Sequence, residues 1–76
     1  MVRAYILIEM VAGHSRKLAT SLRGSEWVTD VDRVTGPYDV IAVLEGTDIN
    51  AISDVVTNDI HSLEGVVRTT TCVCLD

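Results

Sequence analysis

The chain has 76 residues, 47% of them hydrophobic, enough for one small domain that buries only about 60% of its unfolded-chain surface and gains from association. Its net charge is −5 with only six Lys and Arg, which leaves no basic footprint for nucleic acid or an anionic membrane. The early apolar run Ala4 to Ile8 is cut by Glu9, far short of a membrane span, and Cys72 and Cys74 are too few and too close for a secreted disulfide framework. A soluble protein of the cytoplasm is the resulting expectation.

From Val2 to Ala12 apolar residues alternate. Val2, Ala4, Ile6, Ile8 and Met10 lie on one side, and Tyr5, Leu7 and Val11 on the other, interrupted by Arg3 and Glu9. Period-two spacing with β-branched content predicts a strand. Both faces are apolar, so something is expected to cover each. Gly13, His14 and Ser15 break the strand and open a helix to about Leu22. Leu18, Ala19 and Leu22 form its narrow stripe, while Arg16, Lys17 and Arg23 point away. Gly24 stops it.

Trp27 to Thr35 alternates more weakly, with Trp27, Thr29, Val31 and Arg33 on one face and Val28, Asp30, Asp32 and Val34 on the other. Two acids on one face suit an edge strand that meets water. Gly36-Pro37 then predicts a tight reversal of the primed hairpin kind, glycine first. Asp39 can fold its carboxylate onto nearby backbone N–H groups. Tyr38 to Glu45 is nearly all apolar, the pattern of a central strand.

Gly46 ends that strand, and Thr47 or Asp48 can cap the next helix. Ile49, Ile52, Val55, Val56, Ile60 and Leu63 recur at helical spacing. Gly65 closes the helix. The last strand, Val66 to Leu75, carries Val67, Thr69, Thr71, Val73 and Leu75 on one face. Val66, Arg68, Thr70, Cys72 and Cys74 share the other.

The order βαββαβ predicts an α+β, ferredoxin-like fold with an antiparallel four-stranded sheet. Right-handed crossovers place the first and third strands centrally, with both helices on one face. The opposite face stays apolar, so a second copy is expected there, as in an isologous dimer that forms an α/β sandwich.

Few residues point to chemistry. His14 and His61 each sit at a helix end, and HExxH or CxxC spacing is absent, so solvated or capping histidines are expected and no metal. Cys72 and Cys74 share a strand face about 6.6 to 6.8 Å apart by strand rise, poor for a disulfide. Two buried apolar thiols are expected. Asp30 and Asp32 could be an acid–base pair, but adjacent acids on an edge strand more often solubilise it. Ser15 beside His14 is no nucleophile–base pair, because such groups are defined by converging geometry. No Walker A loop or GxGxxG is present.

Gly36-Pro37-Tyr38-Asp39 and Thr69-Thr70-Thr71 are the better candidates. Each has a plain reading, a hairpin turn and a β-branched strand. A turn plus hydroxyls also offers backbone N–H and O–H groups that could hold a carboxylate and an ammonium, the hydroxyl oxygen accepting from the latter.

Val28, Val34-Thr35-Gly36-Pro37-Tyr38-Asp39-Val40 and Gly65-Val66-Val67-Arg68-Thr69-Thr70-Thr71 together resemble the effector-binding domain of the Lrp/AsnC regulators. The resemblance spans essentially the whole chain. It implies a ferredoxin-like domain, residues 1–76, that dimerises through its sheets, often builds octamers, and holds a small effector, usually an amino acid, in clefts between dimers. It assigns Gly36, Tyr38 and Asp39 to the effector site, and Thr69 and Thr71 more weakly. No cofactor and no catalysis are implied. Family regulators carry a helix-turn-helix domain before this one. This chain starts at the first strand of the effector domain, so it is expected not to bind DNA itself; what it regulates is left open, co-assembly with full-length family members being one route. Two other readings stay open: a small dimeric ferredoxin-like enzyme of the α+β-barrel kind, and an assembly partner without a ligand. With no Phe, one Trp and no His on a predicted strand, an enzyme cavity would be poorly furnished.

Overall fold

The computed structural model describes residues 1–75. Its elements are β1 (Val2–Met10), α1 (Ser15–Arg23), β2 (Val28–Arg33), β3 (Val40–Gly46), α2 (Ile49–Val55) running directly into a π-helical turn (Val56–Ile60), and β4 (Val66–Val73). The strands lie in the order β2-β3-β1-β4, every neighbour antiparallel. This is the expected ferredoxin-like α+β arrangement, with β1 and β3 central.

β1 and β3 take the centre because both of their faces are apolar. Their register pairs Ile6 with Ala42 and Leu7 with Ile41. On the helix side Ala4, Ile6, Ile8, Val40, Ala42 and Leu44 are shut away from solvent, joined by Val31 of β2. Leu18, Ala19 and Leu22 of α1 and Ile52, Val56 and Ile60 of the second helical segment close the core from above. Burying an isoleucine side chain contributes about 1.5–3 kcal/mol, so the fully enclosed Ile6, Ile8 and Ile60 carry much of the stability.

The details differ from expectation where long-range geometry overrides local pattern. β1, β2 and β4 stop short of their predicted ends. The β2–β3 connection is no two-residue turn. It is a wider loop, residues 34–39, closed by the Val34 N–H donating to the Asp39 carbonyl at 2.9 Å. Gly36 does take a positive φ of 136°. A register shift between Val28 and Asp30 breaks the alternation of β2. Val28 therefore pairs with Leu44 and packs on the core, away from the face of Asp30 and Asp32.

Asp48 caps α2, its Oδ1 accepting from the Ala51 N–H at 2.8 Å. Ile49, expected in the buried stripe, is 55% exposed, because it stands at the helix start before the stripe reaches the sheet. The π-helical turn, with the His61 N–H donating to the Val56 carbonyl at 2.9 Å, keeps Val56 and Ile60 buried. Its wider spacing was invisible to a 3.6-residue pattern.

Gly65 sits at φ +90°, and a Cβ built on it would lie 2.7 Å from the His14 Cβ and Cγ. His14 occupies the N-cap position of α1 without a capping side-chain bond. The thiols are not buried as a pair: Cys72 is exposed and Cys74 half-buried. Pairing with Tyr5 sets Cys72 on the face of the sheet away from the helices, over which no helix or strand among the described residues packs.

Candidate functional site

The face of the sheet opposite the helices has an apolar centre and a charged rim. Pairing across the sheet builds one row from Asp32, Ile41, Leu7 and Thr70 and the next from Asp30, Val43, Tyr5 and Cys72. Leu7, Ile41 and Val43 are half-buried and Tyr5 is exposed. At one end Arg3 lies 3.9 Å from Glu45, and at the other Arg68 donates to Glu9 at 3.1 Å.

Loop 34–39 joins this face at the Glu9 end. Asp39 fixes it with three bonds. Its carbonyl accepts from Val34, its N–H donates to the Ile8 carbonyl at 2.9 Å, and its Oδ2 accepts from the Met10 N–H at 2.8 Å. The β1–β3 ladder thus runs one step past Val40, with a carboxylate standing where the next carbonyl would be. The sequence suggested a carboxylate folded onto its own turn; the donor is instead a residue of the central strand.

Anchored this way, the loop carries Tyr38 across β1. The Tyr38 hydroxyl lies 3.3 Å from the Thr70 Oγ1, and both residues are half-buried. Gly36 stands exposed beyond them, and apart from its two chain neighbours no described residue comes within 4 Å of the place a Cβ would take. A ligand can therefore approach the loop backbone closely.

Thr69 and Thr71 lie elsewhere. They pair with Ile8 and Ile6, whose side chains are in the core, so both threonines point to the helix side of β4. Thr69 Oγ1 meets His61 Nε2 at 2.8 Å, and Thr71 is exposed. The five candidate residues thus divide into Gly36, Tyr38 and Asp39 on one side of the sheet and Thr69 and Thr71 on the other. The residue that does join the tyrosine is Thr70. Strand alternation places Thr70 opposite its neighbours, but only tertiary structure brings Tyr38 to it.

The wider concavities lie away from the loop. One of about 440 Å³ is bounded by Val2, Arg3, Glu45 and Cys74 at the far end of the sheet. Another of about 340 Å³ runs between α1 and the second helical segment. Neither is lined by residues 34–39. Among the described residues no three His, Cys, Asp or Glu side chains form a metal site, and no helix is long and apolar enough to cross a membrane.

The model of the Lrp/AsnC ligand binding domain matches residues 3–76. Among solved structures, TTHA0845 from Thermus thermophilus is 37% identical, with a TM-score of 0.94 over 100% of this chain and 95% of that one. The hypothetical protein PHS023 from Pyrococcus horikoshii is 27% identical, with a TM-score of 0.91 over 99% of this chain and 90% of its own. The transcriptional regulator NMB0573 from Neisseria meningitidis, solved as a complex with L-Met, is 27% identical at a TM-score of 0.87. This chain, covered over 99%, spans 50% of that regulator. A comparison with curated proteins finds no match. With β2, β3, β4, both helical segments and all but the first residue of β1 inside the matched region, the chain belongs to the Lrp/AsnC ligand-binding domain family.

Proposed function

We propose that the chain is a non-catalytic sensor of a small effector, most simply a free amino acid, that works as a homo-oligomer. The observation that carries this is the loop at the edge of the open sheet face. Asp39 holds it rigidly to β1, and it presents an unobstructed Gly36 backbone beside the paired hydroxyls of Tyr38 and Thr70. Backbone N–H groups and hydroxyls suit a carboxylate, and a hydroxyl or carbonyl can receive an ammonium. The relative NMB0573 was solved with an amino acid, L-Met, which supports the same ligand class here.

In this reading Gly36 and Tyr38 contact the effector and Asp39 positions the loop. Thr69 and Thr71, on the other side of β4, take part only through a neighbouring subunit. The open face receives a second copy, because it combines apolar Tyr5, Leu7, Ile41 and Val43 with ion pairs at both ends. Higher assembly builds the clefts in which the loop meets its ligand. Such a module influences transcription through larger family members that share the same contacts, its own net charge of −5 disfavouring DNA.

Light scattering of the native protein, with and without each of the twenty amino acids, tests this. A shift in mass, or saturable calorimetric binding of one or a few amino acids that Tyr38→Phe weakens, is the expected result. A mass indifferent to all of them, with no heat of binding, would leave an assembly partner without a ligand. Co-purification with a full-length family regulator tests the last step, and clean separation at micromolar concentration counts against it.

A further inference from the structure

The surface charges are sorted by helix. α1 exposes Arg16, Lys17 and Arg23 and contains no acid. The second helical segment and its flanks expose Asp48, Asp54, Asp59 and Glu64, and the sequence holds no Lys or Arg from Val34 to Val67. Both segments bury their apolar residues in the same core, so a basic half and an acidic half lie side by side on one face. The groove of about 340 Å³ between them is floored by Leu22, Val28, Val55 and Leu63. At its edge Trp27, 42% exposed, shares a second concavity with Asp54 and Asp59.

Bonds within the chain use little of this charge. Lys17 meets Glu64 at 3.5 Å with both side chains largely exposed, and such a pair contributes at most about 1 kcal/mol. Arg16, Asp54 and Asp59 enter none of the ion pairs among the described residues.

We infer that the helical face is a self-complementary docking surface for a second copy of this chain, separate from the open sheet face and from loop 34–39. A two-fold axis along the groove lays the basic helix of each copy over the acidic segment of the other, with Trp27 as the aromatic anchor beside the groove. Charge decides the occupant. A face with each sign on its own helix matches itself when turned over, whereas a partner of one sign meets half of it in repulsion. Exchanging Lys17–Glu64 within the chain for the same pairing between chains loses nothing and brings in Arg16, Asp54 and Asp59.

Sedimentation velocity tests this in wild type and in Leu7→Asp, which disables the open sheet face, between about 20 mM and about 500 mM NaCl. Association that weakens with salt is expected in both backgrounds. Arg16→Glu with Lys17→Glu, and separately Asp54→Lys with Asp59→Lys, should each weaken it by about tenfold or more. An equimolar mixture of the two double variants should restore it, since each then supplies the sign the other lacks. Circular dichroism confirms that these exposed substitutions leave the fold intact. A mass indifferent to salt, variants that associate like wild type, or a mixture that fails to recover would each overturn the proposal. Loss of association only in Leu7→Asp would overturn it too, while leaving the sheet-face contact standing.

Discussion

Asp39 shows how far one residue can be read from sequence. Its place after Gly36-Pro37 pointed to a backbone contact made by the carboxylate, and that contact exists. Its partner, the Met10 N–H, lies 29 positions away, beyond anything a local turn signal encodes. Removing the carboxylate strands a partly buried donor, so Asp39→Ala should cost about 1–3 kcal/mol. Asp39→Asn keeps an acceptor and should lose less. Urea unfolding of both variants checks this, and equal losses would show that the acceptor is not what matters. Thr70 shows the limit from the other side. Alternation separated it from Thr69 and Thr71, but all three are threonines, and nothing in the run says which faces Tyr38.

At the level of elements the periodicities predicted type and order, and geometry revised the edges. The strands of the centre were legible because their residues are apolar on both faces. The broken register at Val28 was not, because a bulge adds a residue without changing the residue types around it. The second helix was recognisable by Ile52, Val56 and Ile60, yet neither its π-helical turn nor the exposure of Ile49 follows from spacing. Its start is local and was readable: the Asp48 carboxylate satisfies the Ala51 N–H. Asp48→Ala should therefore lower stability by about 0.5–2 kcal/mol, measured as a drop in thermal midpoint, and no drop would mean that the π-helical turn and the core alone hold the segment.

For the whole molecule, the apolar second face was predicted from β1 and β3 alone, and the structure leaves it uncovered. The buried-thiol expectation failed for the same reason: Cys72 lies exposed on a face that no element among the described residues packs over. Leu7→Asp puts a carboxylate at the middle of that face without touching the helix-side core. It should yield a folded chain of lower mass by light scattering, with unchanged helical content. A mass unaltered by the aspartate would remove the sheet face as a contact between copies.

One consequence reaches into how such a chain can change over generations. The ring of His14 fills the space over Gly65 that any side chain there would need, and even its Cβ is too close. Gly65→Ala should thus be severely destabilising, through both the clash and the positive φ. In a selection for second-site suppressors, the steric part should be relieved only by His14→Gly, ahead of α1 in the other half of the fold. Rescue by His14→Ala would show that the backbone gives way more easily than the 2.7 Å approach implies. Position 65, 51 residues beyond position 14 (65 − 14), can accept a side chain without this clash only after position 14 has given up its own.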